Sequence, residues 1–185
     1  NLLIAPPSQP LLDGIVLGTT VPQRHAFYGA PWLAGMIGAP GITGPAISQA
    51  CATSARIVAT AAAEVELGAR NTVLAVAADR VSNGPHLYYP NPKGPGGTGV
   101  AEDWVMDNFG CDPLGRHSML QTAENVAKKH GIGTAEQHEV VLRREEQYRQ
   151  ALDNGSAFLK RFMTLPFEVP APNFRKTVGT MEGDE

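Results

Sequence analysis

Cys51 is the residue of this chain best placed for covalent chemistry. It stands in "SQACATSARIVATAAAEVELGAR", residues 48–70, where a short apolar run ends and an alanine-rich stretch begins. A thiol at a helix N-terminus feels the partial positive charge of the unsatisfied N–H groups, which favours the thiolate. The same donors can receive an oxyanion that develops on an attacked carbonyl. The position therefore suits a nucleophile that carries a group as a covalent adduct. The alternative is a small buried apolar residue, as free cysteine often is, and spacing alone leaves both open.

No other group of residues supplies a site by itself. The loop "GPGGTG" (94–99) follows no strand, so it lacks the strand–turn–helix context of a dinucleotide site. Neither G-x-x-x-x-G-K-[ST] nor H-E-x-x-H occurs. His86, Cys111 and His117 match no zinc spacing, so no metal is expected. His138 falls in a charged segment and is expected to be solvated, and Tyr88 and Tyr89 are expected to pack a loop rather than stack on a base. A net charge of −3 gives no broad basic face, which argues against a nucleic-acid partner. The two cysteines, Cys51 and Cys111, form no C-x-x-C pair, so a reducing, cytoplasmic setting is expected. No signal-peptide pattern opens the chain, and no apolar run approaches the roughly 18 residues of a membrane helix. No membrane partner is expected.

The elements that must position Cys51 follow from the apolar pattern. "GIVLGT" (14–19), "GPAISQA" (44–50) and "NTVLAVAA" (71–78) are short, nearly continuous apolar runs, which suit parallel strands covered on both faces. Between the first two lies "APWLAGMIGAP", with Pro31 suited to the first turn of a helix and Pro40 beyond its end. Between the second and third lies the Cys51 helix, closed by Gly68. Its alanines spread around the whole circumference, which predicts burial on every side. The order is β-α-β-α-β, an α/β layer.

After residue 80 the character changes. "NGPHLYYPNPKGPGGTG" (83–99) reads as loop from its Pro and Gly content. "SMLQTAENVAKKHG" (118–131) reads as a helix with basic residues in its last turn and Gly131 as its stop. "TAEQHEVVLRREEQYRQALDNG" (134–155) reads as a charged surface helix, with Thr134 and Gln137 as a capping box and Asn154-Gly155 as its end. With 185 residues and 43% hydrophobic residues, the chain can build one domain, or one domain with an insertion. It opens without Met and closes on "TVGTMEGDE" with no capping element, which reads as a piece of something longer.

Several separated stretches, in one order, resemble the thiolase family of acyl-CoA C-acyltransferases. They are "GIVLGTTVPQ", "ISQACATSARIVATAAAEVELGARNTVLAVAADRVSNGPH", "MLQTAENVAKKHGIGTAEQHEVVLRREEQYRQAL" and "FRKTVGTMEGDE". The resemblance implies a partial thiolase-type layered α/β fold, with core residues 1–80 and an α-rich inserted loop domain, residues 81–185, that covers coenzyme A. It implies that Cys51 accepts the acyl group of an acyl-CoA as a thioester. That group then passes to a second acyl-CoA or, in reverse, a 3-ketoacyl-CoA is cleaved by CoA. Met119 falls where the family lines its acyl and pantetheine pocket, and Arg175 and Lys176 where it places basic residues near the nucleotide end of CoA. CoA would be a co-substrate, no resident cofactor is implied, and the family's members are dimers or tetramers.

The sequence also departs from the family's pattern. Ala52 is followed by Thr53 and Ser54 where the family usually has Ser-Gly, which adds bulk to a packed turn. Ser118 stands where many biosynthetic members have His, and Leu120 where they have Gly, which turns the reading away from acetoacetyl specificity. The family's first core strand would precede residue 1. Its catalytic His, second acid/base Cys and water-holding Asn would follow residue 185. The chain as given is therefore expected to be inactive alone as a thiolase. The competing expectation is a non-catalytic thiolase-like protein that binds acyl-CoA or partner subunits, with Cys51 inert. A cysteine hydrolase is a third, and would need a histidine against Cys51.

Overall fold

A computed structural model describes residues 11–24, 26–171 and 175–183. The expected 1–80 core is thus described from residue 11, except His25. Of the basic-then-acidic segment 174–185, residues 174, 184 and 185 lie outside the described residues.

A three-stranded parallel sheet in the order β2-β1-β3 forms the centre, from β1 (Gly14–Gly18), β2 (Ala46–Ile47) and β3 (Val73–Ala77). Strand β1 pairs with β3 over its whole length, Gly14 opposite Val73 through Gly18 opposite Ala77. Successive side chains of β1 point to opposite faces, which explains why "GIVLG" is apolar without alternation. Ile15 packs with Ala30, Ala34 and Ile42 on the side of α1 (Gly29–Met36). Val16 packs with Ile57 and Ala61 on the side of α2 (Thr53–Glu66). The α/β layer expected from the sequence is therefore present, with one helix on each face. Strand β2, expected over seven residues, is only two residues long.

Helix α2 differs from the expected all-round burial. Thr53, Ile57 and Ala61 are buried against the sheet, while Val58 and Val65 on other faces are 61% and 43% exposed. Three strands cover only one side of a helix whose composition would suit cover on all sides. Gly18 permits the close approach of the covered side: an added Cβ would lie 2.8 Å from Thr53 Cγ2 and 2.9 Å from Ile57 Cγ2. Gly68, at φ +70°, ends the helix in the left-handed conformation that glycine adopts freely.

The stretch expected as loop from 83 to 99 is partly strand. β4 (His86–Tyr89) pairs antiparallel with β5 (Val100–Asp103), and the Pro/Gly cluster forms only the connection between them. The Tyr88 hydroxyl accepts the Gly99 N–H at 2.7 Å, which closes that connection. A short helix, α3 (Met106–Gly110), follows. Two compact units part between Met119 and Leu120. One tie that holds the hairpin to the sheet is the Trp104 indole N–H, which donates to the Thr20 carbonyl at 3.2 Å.

The second unit holds α4 (Met119–His130) from its second residue on, then α5 (Thr134–Ser156) and an antiparallel pair, β6 (Phe167–Pro170) with β7 (Thr177–Met181). Gly131 at φ +66° ends α4 as expected. The cap of α5 falls one residue earlier than the Thr134–Gln137 box: Gly133 donates its N–H to Glu136 Oε2 at 2.7 Å. Asn154 and Gly155 have φ of 53° and 66°, so the expected stop is where the helix breaks. His138 is exposed. No helix among the described residues is long and apolar enough to cross a membrane.

Candidate functional site

The carboxyl ends of the parallel strands open onto a cavity of about 650 Å³. Open α/β sheets bind ligands at this edge, because the loops and helix starts converge there. Cys51, Val81, Trp104, Phe109 and Met119 contribute to its walls, as do Asp79 and Asp112. Cys51 and Met119, widely separated in sequence, are thus brought to one cavity. Arg175 and Lys176 lie in the second unit, exposed in the connection between β6 and β7, where the Lys176 carbonyl accepts the Ala171 N–H at 2.8 Å. Among the described residues no histidine lines the cavity and no cluster of His, Cys, Asp and Glu could hold a metal ion.

Cys51 is exposed and occupies the middle of a 3-10 turn, Ala50–Ala52, that runs directly into α2. The thiol therefore sits in the turn before the helix rather than on its first residue. The two amides that follow it are already engaged: Ala52 N–H donates to the Gln49 carbonyl at 3.0 Å, and Thr53 N–H donates to the Ala50 carbonyl. An oxyanion at this sulfur would have to draw on donors other than these two.

The turn is held in an unusual conformation. Ala50, immediately before the cysteine, has φ +44°, a left-handed value that costs a residue with a Cβ about 1–3 kcal/mol and persists only where neighbours fix it. The neighbours are visible. The Thr53 hydroxyl, buried, donates to the Ala50 carbonyl at 2.7 Å and accepts the Gln49 N–H at 2.8 Å. The Thr20 hydroxyl donates to the same carbonyl at 2.9 Å and lies 3.0 Å from Thr53 Oγ1. Thr53 is one of the residues that depart from the family's Ser-Gly, and here its hydroxyl is built into the turn. Ser54, the other, is exposed beside the cavity, so its added bulk meets no packed neighbour in this chain.

Thr20 is itself clamped by Asp79. The Asp79 carboxylate accepts the Val21 N–H at 2.7 Å, the Thr20 N–H at 2.9 and 3.0 Å, and the Thr19 hydroxyl at 2.9 Å. Burial disfavours the charged carboxylate, but the Val21 and Thr20 amides and the threonine hydroxyls outweigh it and hold Asp79 below the usual carboxylate range. Asp112, also on the cavity wall, is held low by the Gly115 and Leu114 amides. Asp13, at the opposite end of the sheet, is held low by the Asn71 and Thr72 amides. Asp79, Thr20 and Trp104 escaped the sequence reading. The available signal was a carboxylate directly after an apolar strand, "VLAVAAD", at the sheet edge where ligands bind.

These three carboxylates give the fold an acid sensitivity of known sign. Each titrates lower when folded than in the unfolded chain, where Asp ionises near about 3.9. Their stabilisation is fully present above that value and is lost as pH falls through the lower folded values. The combined fluorescence of Trp32 and Trp104, followed from pH 7 down to pH 2, is expected to stay constant to about pH 4 and change below it. A transition centred near pH 6 would contradict the carboxylate origin.

The class defined by this fold and site is an α/β protein that presents a thiol to an apolar cavity at the carboxyl edge of a parallel sheet. The family description "Thiolase, N-terminal domain" matches residues 8–183, and the chain belongs to the thiolase family. An acetyl-CoA acetyltransferase of Yarrowia lipolytica is 28% identical over 139 residues, 75% of this chain and 33% of that protein. One from Paracoccus denitrificans is 32% identical over 109 residues, 59% of this chain and 28% of that protein. The crystal structure of human mitochondrial 3-ketoacyl-CoA thiolase in complex with CoA superposes with a TM-score of 0.76 at 22% identity, over 94% of this chain and 42% of that one. The Bacillus anthracis acetyl-CoA acetyltransferase gives 0.73 at 24% identity, over 94% and 43%. These two structural likenesses bear on the fold. The chain spans about a third of the length of the curated relatives it matches.

Proposed function

We propose that this chain carries the acyl-accepting half of a thiolase, with Cys51 as the residue that receives an acyl group from acyl-CoA. The observation that carries the reading is the exposed Cys51 on the wall of an apolar cavity, in a turn whose conformation is fixed by Thr20 and Thr53. In the step proposed, the Cys51 thiol gives its proton to solvent, the resulting thiolate attacks the thioester carbonyl carbon and a new C–S bond forms. The bond to CoA sulfur breaks, and CoA leaves as a thiolate that takes up a proton from solvent. Because thioester replaces thioester, the acyl group keeps its reactivity for transfer to a second acyl-CoA or back to CoA. Met119 would line the path of the acyl and pantetheine chain, with Arg175 and Lys176 toward the nucleotide. CoA acts as co-substrate, with no resident cofactor, in a homo-dimer or homo-tetramer. Two unpaired cysteines suit the cytoplasm.

Complete turnover also needs a base for the α-proton, and positioned proton transfer contributes about 10²–10⁴-fold. With no described histidine on the cavity, the chain alone is proposed to accept acyl groups without completing thiolysis. The test is incubation with acetyl-CoA and a longer acyl-CoA, read by intact mass and peptide mapping. The expected result is one acyl adduct, on Cys51, with CoA released and no sustained cleavage of 3-ketoacyl-CoA. Protection of Cys51 from iodoacetamide without an adduct would favour a non-catalytic acyl-CoA binder. Neither adduct nor protection would end the reading.

A further inference from the structure

We infer that Asp79 is a positioning residue for Cys51, acting through the Thr20 turn; this rests on the reading of Cys51 as the acyl acceptor. The path is continuous. Asp79 stands just beyond β3 and takes the Thr19 hydroxyl and the Thr20 and Val21 amides, so one carboxylate fixes three consecutive residues. Trp104 fixes the Thr20 carbonyl from the β4–β5 hairpin. With its main chain held on both sides, Thr20 directs its hydroxyl to the Ala50 carbonyl at 2.9 Å, with Thr53 Oγ1 3.0 Å away. Ala50 is the residue in the left-handed conformation, and Cys51 is the next residue.

A carboxylate suits this place because it offers only acceptors to a cluster of donors. An amide in the same position would turn an NH₂ toward some of those donors and leave part of the cluster unsatisfied. Releasing Thr20 would remove one of the two hydroxyls from the Ala50 carbonyl. The turn could then relax from its left-handed conformation, and the sulfur would spend less time presented to the cavity. The simpler alternative is that Asp79 only pins the end of the sheet. The two are separable, because the simpler one gives Thr20's hydroxyl no part in the behaviour of Cys51.

The experiment measures iodoacetamide alkylation of Cys51 by peptide mass spectrometry in the full chain. Cys111, exposed and outside the cavity walls, serves as internal reference. Asp79→Asn and Thr20→Val are each expected to slow Cys51 about fivefold relative to Cys111, the scale of one net hydrogen bond. The double variant is expected to lose about the same fivefold rather than the product, since both changes break one path. Thr20→Ser, which keeps the hydroxyl, is expected to retain the parent rate. An unchanged Cys51 rate in Asp79→Asn, multiplying effects, or a parallel change at Cys111 would overturn the proposal. Thr20→Val leaves the Asp79 carboxylate in place, so an unchanged Cys51 rate in that variant overturns it even if Asp79→Asn does not fold. Acyl transfer from acyl-CoA is scored separately. Its absence with the coupling intact counts against the acyl-acceptor reading alone, and lost coupling with transfer intact counts against Asp79 alone.

Discussion

Cys51→Ala is expected to slow acyl-adduct formation with acyl-CoA about tenfold or more, while Cys111→Ala leaves it nearly unchanged. The contrast is informative because both thiols are exposed, and any exposed thiol exchanges slowly with a thioester. Mere accessibility would label both residues alike. Cys111 caps the short helix α3 from an extended conformation and does not line the cavity. Cys51 sits in a turn held by two hydroxyls and shares its cavity with Met119 and Trp104. Held in place beside a bound thioester, it gains from proximity and orientation what Cys111 lacks. The expected ratio of acylation rates at the two residues is about tenfold or more, equivalent to about 1.4 kcal/mol of transition-state stabilisation. The measurement is the time course of acyl-peptide formation at each cysteine. Equal rates in the parent chain would reduce Cys51 to one reactive thiol among two.

The contrast between Cys51 and its supporting residues also marks how far the sequence could be read. The parallel sheet was legible because Ile15 and Val16 serve opposite faces, which leaves a strand without alternation. The ends of α2, α4 and α5 were legible because Gly68, Gly131 and Asn154-Gly155 adopt conformations that most residues resist. The hairpin of β4 and β5 was not. Its strands are four residues each and flank a run of Pro and Gly, so composition masked the pairing. Helix α2 misled in a different way: composition reports which surfaces suit burial, while exposure depends on what this chain supplies to cover them.

The site divides along the same line. Cys51 could be singled out because a thiol before an alanine-rich helix is a local pattern. Thr20, Asp79 and Trp104 could not, since their roles exist only through hydrogen bonds across 30 to 84 positions of sequence. No periodicity encodes such contacts. They become visible only once the strands bring residues 20, 50 and 79 to one edge.

Gly44→Ala should show how strictly that edge is built, and its expected outcome is loss of the folded first unit. The segment before β2 runs tightly along β1. Ile15 donates its N–H to the Thr43 carbonyl at 3.3 Å, and Leu17 donates to the Pro45 carbonyl at 3.0 Å. Gly44 lies between these two bonds, and a Cβ built there would land on the Ile15 carbonyl oxygen and crowd its carbon at 2.7 Å. A flexible side-chain tip could move aside; a carbonyl inside a strand cannot, because its neighbours are bonded to β2 and β3. Ordinary overpacking costs about 1–3 kcal/mol, and this case should exceed that range because backbone must separate from backbone. Against a total stability of about 5–15 kcal/mol, the same displacement would draw β2 and the Cys51 turn away from the sheet. Thermal melting followed by circular dichroism is expected to lose most of its cooperative transition. Gly35→Ala supplies the control. It lies inside α1 with open space around its Cβ, so the change is expected to be neutral or to stabilise by up to about 1 kcal/mol. If both variants melt like the parent, the path of residues 43–45 along β1 is wrong, and with it the placement of the turn that carries Cys51.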